Sequence, residues 1–268
     1  MLARSVCFAL EKAGSAVWEW EDGAGASEGS PGHGLDPRFI VVDGATEAYD
    51  ALRWVAQLVT SFVGVTGQPH APPALTPDAM RGWFDRMQQR WTAEAPTQFT
   101  NIIEEWKYRQ DGSFATLLGC ELTGLTGPTP RWNAVALGDT VLFHVRNNQL
   151  ITHFPALRVD DFGVAPAGVH TKSEGIAQMM SDLEIGRGEL RLGDQLFIAT
   201  DAFAHWVLQR LQRDDQQLWR VLSELDHDAT FAALVADVRA AGQMRNDDVT
   251  LLRVRLVAAE PDYLVVCL

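Results

Sequence analysis

Short apolar runs, each bounded by glycine, asparagine or aspartate, predict a chain rich in β-strands. The four clearest runs cover residues 39–42, 133–137, 196–199 and 249–256. Further alternating stretches over residues 114–122, 141–145 and 150–154 extend the pattern. Gly138-Asp139 and Asn147-Asn148 stand where tight turns would join neighbouring strands. Strands joined by such short turns run antiparallel.

Helical spacing of apolar positions separates these strands. After the first strand, Thr46 is a candidate N-cap, and the positions that recur at helical spacing are Tyr49, Leu52, Val55, Ala56, Val59 and Phe62. Thr76-Pro77 predicts the start of a second helix that runs to about Trp91. Further helices are predicted over residues 99–108, 174–180, 203–211, 217–225 and 231–240. Residues 23–37 have loop composition, and residues 263–267 could add a strand.

No repeat or clean linker divides the chain, so residues 1–268 are predicted to form one domain. A hydrophobic content of 47% supports a substantial core. The net charge of −13 argues against nucleic acid or anionic membrane as a general partner. The 3 cysteines, Cys7, Cys120 and Cys267, form no CxxC pair and predict neither disulfide framework nor zinc site. No apolar run approaches the roughly 20 residues of a membrane span, so a soluble cytoplasmic protein is expected.

Four aspartates carry the most specific chemical signal. Asp43, Asp139, Asp201 and Asp247 each stand at or beside one end of a predicted buried strand. Rigid strand ends can aim four carboxylates at one point, where mutual repulsion would raise their pKa values. A divalent cation relieves that repulsion, and oxygen-only ligands suit Mg²⁺ or Mn²⁺. The sequence therefore predicts a hydrolytic site built on a hard metal.

The same residues lie within a series of short motifs in a fixed order. The motifs are Glu21-Asp22, Asp43-Gly44, Gly112-Ser113-Phe114-Ala115, Gly138-Asp139, the strand 193–201 that ends in Thr200-Asp201, and Asp247-Asp248-Val249-Thr250. Any one of them is weak, since Asp-Gly and Gly-Asp pairs are common turn signals. Together, across residues 20–255, they resemble the type-2C family of metal-dependent serine/threonine protein phosphatases.

The resemblance implies an α/β (α+β) fold, a four-layer α-β-β-α sandwich of two mainly antiparallel sheets flanked by helices. It also implies two Mn²⁺ or Mg²⁺ ions, with a looser third. Asp43 would bridge the two ions and the Gly44 carbonyl would bind one of them. Asp201 and Asp247 would complete the first ion, and Asp139, with Asp201, would serve the third.

In the same family pattern Glu21 would ligate the second ion, directly or through water, with Asp22 behind it. The implied activity is hydrolysis of phosphoserine or phosphothreonine by water that the metals activate, without a phosphoenzyme. The implied partners are a phosphorylated protein substrate and a cognate serine/threonine kinase, in a signalling role.

Three departures from the family pattern concern the substrate. The arginine that usually grips the phosphate, four residues before the first acidic position, is replaced by Val17. Arg53, Lys12 or an arginine from an incoming loop could substitute for it. The glycine after the later strand is Ala202, and the histidine that some members use as a general acid is absent after Asp43-Gly44.

Alternative interpretations remain open at this stage. Residues 25–29 match the GxSxG nucleophile pattern but lack the following helix that this pattern requires. A pseudophosphatase that binds a partner without turnover is the main alternative function, favoured by Val17, and a small-molecule phosphatase is a third. Trp54 and Trp206 are expected in the core. The glycine-rich region 160–191 is expected to overhang the site and set selectivity.

Overall fold

The computed structural model describes residues 1–29, 35–46, 48–64, 72–96, 98–163, 166–172 and 175–259. Its strands are β1 (Leu2–Leu10), β2 (Gly23–Ser27), β3 (Arg38–Gly44), β4 (Phe114–Thr123), β5 (Arg131–Leu137), β6 (Val141–Arg146), β7 (Gln149–Phe154), β8 (Val169–His170), β9 (Glu184–Glu189), β10 (Gln195–Ala199) and β11 (Val249–Val257). Its helices are α1 (Ala51–Val63), α2 (Pro77–Ala93), α3 (Ile102–Gln110), α4 (Ile176–Asp182), α5 (Asp201–Gln212), α6 (Leu218–Glu224) and α7 (Asp228–Ala240).

The strands form two antiparallel sheets. One sheet has the order β1-β11-β10-β6-β7, and the other has the order β2-β3-β4-β5-β9, with the short strand β8 paired to β4. The connection between β5 and β6 crosses from the second sheet to the first, so the two strands that Gly138-Asp139 was predicted to join as an antiparallel pair are not paired with each other. The left-handed Asn147 and Asn148, with φ of 51° and 58°, form the predicted tight turn between β6 and β7.

Successive side chains of the central strands point alternately to the two faces of each sheet, and this alternation produces the layers of the fold. In β3, Phe39 and Val41 face the other sheet, whereas Ile40 and Val42 face the covering helices. In β10, Leu196 and Ile198 likewise point between the sheets. Strands buried on both faces have continuous apolar sequences, which is why these strands could be predicted from the sequence.

Three apolar layers result from this alternation. Helices α5, α6 and α7 cover the outer face of the first sheet, and α1 and α2 cover the outer face of the second. The third layer fills the space between the sheets. Trp54 and Trp206 lie in the outer layers, as predicted. The four-layer sandwich is therefore confirmed.

Several local predictions were wrong. Helix α1 begins at Ala51, not after Thr46, and its inward face carries Trp54 and Leu58 while Leu52 is exposed. Residues 23–27, predicted as loop, form strand β2. Strand β9 was not predicted at all. The predicted strand 263–267 falls outside the described residues, as does part of the loop 23–37.

None of the helices in the described ranges combines the length and hydropathy that a bilayer crossing requires.

Candidate active site

A cleft of about 570 Å³ opens at one end of the sandwich, where both sheets end together. The described residues that line it are Asp43, Gly44, Ala45, Thr46, Phe114, Thr116, Asp139, Gly163, Pro166, His170, Asp201, Arg245 and Asp247. All four aspartates predicted from strand ends are among them. The predicted convergence of the four carboxylates is thus present in the structure. Of the region 160–191, Gly163, Pro166 and His170 contribute to the wall.

Asp43 and Gly44 end strand β3 and form the floor of the cleft. The backbone at Gly44 passes so close to Glu21 that an added Cβ would lie 2.5 Å from the Glu21 carbonyl oxygen. Glycine is therefore required here for the two segments to meet. Burial, together with the negative charges of Asp139 and Asp247, raises the pKa of Asp43 to about 8.

Asp139 lies in the short connection between β5 and β6 that joins the two sheets. Gly138 before it has φ of 110°, and a Cβ there would stand 2.6 Å from the Ala167 carbonyl oxygen. Both carboxyl oxygens of Asp139 are buried and lack a hydrogen-bond partner among the described residues. Burial raises the pKa of Asp139, although the polarity of its own backbone N–H and the charge of Arg245 act against the rise.

Asp22 lies beneath the cleft and does not line it. Its side chain is 1% exposed and accepts a hydrogen bond of 2.8 Å from the Thr250 hydroxyl. Burial and the neighbouring negative charge of Asp43 raise the pKa of Asp22 well above its usual range. Asp22 is therefore a direct neighbour of Asp43 beneath the cleft.

Asp201 and Asp247 enter from the first sheet. Asp201 is the first residue of α5, directly after β10, and Asp247 precedes β11. Both carboxylates pair with the guanidinium of Arg245, which contacts Asp201 and lies 3.3 Å from Asp247 through its Nε atom. Arg245 thus joins two of the four carboxylates in the cleft.

Glu21 lies apart from the other predicted ligands. It lines a neighbouring cleft of about 440 Å³ that shares only Thr46 with the first. Its backbone N–H donates to Asp248, 2.8 Å away, and its Oε2 atom is buried without a partner in the described part of the chain. Asp248 also accepts a 2.8 Å hydrogen bond from the Lys12 backbone N–H. Asp248 therefore fastens the segment before β2 to the start of β11.

The donor chemistry of the cleft fits a hard divalent cation. Its carboxylates present only oxygen, and the buried oxygens of Asp139 have no partner within the described ranges. Buried carboxylates without partners are costly unless a ligand satisfies them. Within the described ranges, no three Asp, Glu, His or Cys side chains stand close enough to hold a metal as they are. Arg245 supplies the positive charge next to Asp201 and Asp247 instead.

The structure also decides between the proposed substitutes for the missing arginine. Val17 is 72% exposed in a turn of 3₁₀ helix. Arg53 packs on the Trp91 ring, 3.8 Å from its centroid, and pairs with Asp50 away from the cleft. Lys12 lies in the neighbouring cleft, where its Nζ donates to the Thr46 hydroxyl at 3.1 Å. Neither side chain lines the cleft.

Two lining residues escaped the sequence analysis as individuals. Arg245 stands two positions before Asp247, and this proximity to a predicted ligand is the signal that could have identified it. The sequence predicted only that an arginine from an incoming loop could substitute for the missing one. His170, on β8, packs against Phe114 with ring centroids 4.7 Å apart. Burial lowers the pKa of His170, so its imidazole is neutral at pH 7. No spacing motif marks His170 in the sequence.

Comparison with known proteins gives structural matches without sequence matches. No protein-family profile and no curated protein sequence matches the chain. The serine/threonine phosphatase PstP/Ppp of Mycobacterium tuberculosis superposes with a TM-score of 0.63 at 13% identity, covering 96% of this chain and 100% of that one. A structure of the PstP catalytic domain in complex with two manganese ions gives a TM-score of 0.62 at 13% identity, covering 96% and 99%.

A third similar structure is PppA, described as a key regulatory component of T6SS in Pseudomonas aeruginosa. Its TM-score is 0.54 at 18% identity, and the match covers 95% of this chain and 98% of PppA. At these identities the comparisons show the fold. The chain has the fold of bacterial metal-dependent serine/threonine phosphatases, which confirms the fold that the motif series predicted.

Proposed function

We propose that this protein is a metal-dependent phosphatase that hydrolyses phosphoserine and phosphothreonine in proteins. The observation that carries the proposal is the convergence of Asp43, Asp139, Asp201 and Asp247 on one cleft, from four separate strand ends. A merely structural role would leave such carboxylates paired. Those of Asp43 and Asp139 have raised pKa values instead, because burial disfavours their charge. The fold shared with serine/threonine phosphatases supports the substrate class.

In this proposal the residues of the floor and wall hold two Mn²⁺ or Mg²⁺ ions. Asp43 would serve both positions and the Gly44 carbonyl one of them, Asp201 and Asp247 would complete the first, and Asp139, with Asp201, would serve a looser third. When bound, these ions would supply Lewis-acid charge that acidifies water and neutralises the phosphate.

Asp22 acts as a positioning residue in the same proposal. It lies behind Asp43, and its own orientation is fixed by the hydrogen bond from Thr250 on β11. Glu21 contributes through its backbone, which the Asp248 carboxylate holds against Gly44. These contacts keep the end of β3 in place without adding further ligands.

The test is Mn²⁺-dependent hydrolysis of p-nitrophenyl phosphate and of a phosphothreonine peptide. Asp43→Asn and Asp201→Asn are compared with wild type and with Asp237→Asn, an exposed position on α7 that matches the charge change. Loss of an outer partner of a metal ligand costs 10- to 100-fold, so loss of a direct ligand should reduce turnover by more than about 100-fold. Asp237→Asn should retain wild-type turnover.

Two results would contradict the proposal. Turnover by wild type that persists in EDTA would exclude a metal-dependent mechanism. Mn²⁺ binding without turnover of either substrate would mean that the fold serves recognition, as in the pseudophosphatase alternative.

A further inference from the structure

Arg245 is the cation of the candidate active site. Among the lining residues that the structure describes, it is the sole lysine or arginine, and the neighbouring His170 is neutral. Its guanidinium contacts Asp201 on α5 and Asp247 before β11. Its charge also reaches Asp43 and Asp139, whose pKa values it lowers against the effect of burial. Arg245 is thus coupled to every carboxylate in the cleft wall.

The position of this arginine leaves it free to move between partners. Arg245 belongs to the loop between α7 and β11, and its side chain is 42% exposed. The two carboxylates that it pairs with are those proposed to hold the first metal ion. A carboxylate oxygen that is shared with a metal loses much of its attraction for a guanidinium, so the two cations compete for the same oxygens.

The cleft also needs a positive group for the substrate. A phosphate monoester brings about two negative charges to a cleft whose wall carries four carboxylates. Val17 cannot contribute, and Arg53 and Lys12 are engaged elsewhere. Arginine binds phosphate through two parallel N–H donors, the same fork geometry that it uses with carboxylates.

We propose that Arg245 is the phosphate-binding residue of this protein. In the metal-free protein Asp201 and Asp247 pair with its guanidinium, and they release it when they bind metal. This inference rests on the proposed phosphatase function for the identity of its ligand. Arg245 then contacts the phosphate group of the substrate and the phosphate product alike. It takes the role of the family's usual arginine, whose position is occupied here by Val17, from a loop that leads into the other sheet.

Binding of inorganic phosphate to the Mn²⁺-loaded protein tests the phosphate contact without requiring turnover. Titration calorimetry is carried out on wild type, Arg245→Gln, Arg245→Lys and Arg81→Gln, the last being an exposed arginine on α2 that controls for net charge. Arg245→Gln should bind phosphate at least about tenfold more weakly, because a charge-assisted hydrogen bond is lost. Arg245→Lys should recover part of the affinity, and Arg81→Gln should match wild type.

Mn²⁺ titration of the metal-free proteins tests the competition. Arg245→Gln should bind Mn²⁺ several-fold more tightly than wild type, because the ion no longer displaces a guanidinium. Arg81→Gln, with the same change in net charge, should not. Equal Mn²⁺ and phosphate affinities in wild type and Arg245→Gln would overturn the inference.

The failures of the two proposals are distinguishable. If wild type turns over phosphopeptide but Arg245→Gln keeps its phosphate affinity and its KM, the phosphatase proposal stands and the role of Arg245 is wrong. If both affinities change as expected but wild type shows no turnover, the role of Arg245 in binding stands and the phosphatase proposal fails.

Discussion

The two ends of strand β10 place aspartate in different surroundings. The strand has 5 residues and therefore spans only roughly 17 Å. Asp194, before its start, is fully buried and accepts hydrogen bonds from Arg146, His144 and the Arg191 backbone N–H at 2.6 to 2.8 Å. Asp201, beyond its end, shares a cleft with Asp139, whose oxygens lack partners within the described ranges.

The pKa values follow this difference. Burial raises the pKa of Asp194, but the hydrogen bonds from Arg146 and His144 outweigh it and the net shift is downward. Burial also raises the pKa values of Asp43 and Asp139, and there the opposing effect of Arg245 does not reverse the rise. Aspartate is thus structural where hydrogen-bond donors surround it, as at Asp194, and available to a ligand where its oxygens lack such donors, as at Asp139.

The partners of Asp194 fix one tautomer of His144. The Trp132 indole N–H points at the His144 Nδ1 atom from 3.4 Å, so Nδ1 is the acceptor. Nε2 then carries the hydrogen and donates to Asp194 over 2.8 Å. Burial lowers the pKa of His144, in spite of the opposing effect of Asp194, and the neutral ring results.

The sharpest way to break the comparison is to remove one carboxylate charge from the structural end of β10, at Asp194, and one from the cleft, at Asp43. Asp194→Asn should lower the free energy of unfolding by about 3 to 5 kcal/mol, because buried donors and the Arg146 charge lose their partner. In EDTA, Asp43→Asn should lower the free energy of unfolding by less than about 0.5 kcal/mol, because it removes a charge that burial and repulsion from Asp139 and Asp247 already disfavour. Urea denaturation measures both. Equal losses in the two variants would show that the ends do not differ in kind.

A substitution at Gly138 tests whether the cleft depends on the positive φ of the residue before Asp139. Gly138→Ala should cost about 2 kcal/mol, because φ of 110° strains alanine and its Cβ would lie 2.6 Å from the Ala167 carbonyl oxygen. Gly242→Ala is the matched control, with positive φ but no atom within 4 Å of the added Cβ, and should cost about 1 kcal/mol. Thermal unfolding compares them. A loss at Gly138 no larger than the control would remove the steric argument.

The smallest expected effect concerns His144 and Asp194, before the start of β10, and is a dependence of the free energy of unfolding on pH. Because the folded-state pKa of His144 lies below that of the unfolded chain, the unfolded chain binds a proton first as the pH falls through about 6.5. Stability from this group is therefore full above pH 6.5 and declines below it, by at most about 1.4 kcal/mol per pH unit.

The pKa of Asp194 is also lowered by folding, so a second decline follows below roughly pH 4. In urea denaturation as a function of pH, His144→Gln should flatten the first decline and leave the second. The exposed His227→Gln should change neither. A wild-type slope that persists in His144→Gln would assign the decline to another group.

The sequence predicts what buried strands dictate. Phe39 to Val42 are apolar on both faces, so the strand and the placement of Asp43 at its end were legible without a structure. Strand β9 was missed because it is an edge strand with exposed glutamates and half-buried glycines, a pattern without two apolar faces. Position in the sheet, rather than strand propensity, decides which elements can be predicted.

Strand β2 shows a different reason for failure. Its glycines give it the composition of a loop, yet a Cβ at Gly23 would stand 2.4 Å from Val55 and one at Gly25 would stand 2.7 Å from Val59. Helix α1 packs directly on this backbone, so the glycines serve close contact and not a turn. Arg245 was hidden for a related reason. A charged loop residue is ordinary in sequence, and only the fold brings it onto Asp201.

The pairing of β1 with β11 has a consequence for biosynthesis. Leu2 lies opposite Val257, so β1 must wait for β11, which is made much later than β1. Until β11 emerges from the ribosome, β1 and β10 both present unpaired edges, which are prone to association with other chains. The same late strand delivers Asp247, and its neighbour Asp248 ties down the backbone of Lys12 and Glu21. A nascent chain therefore lacks the completed site until β11 has been made.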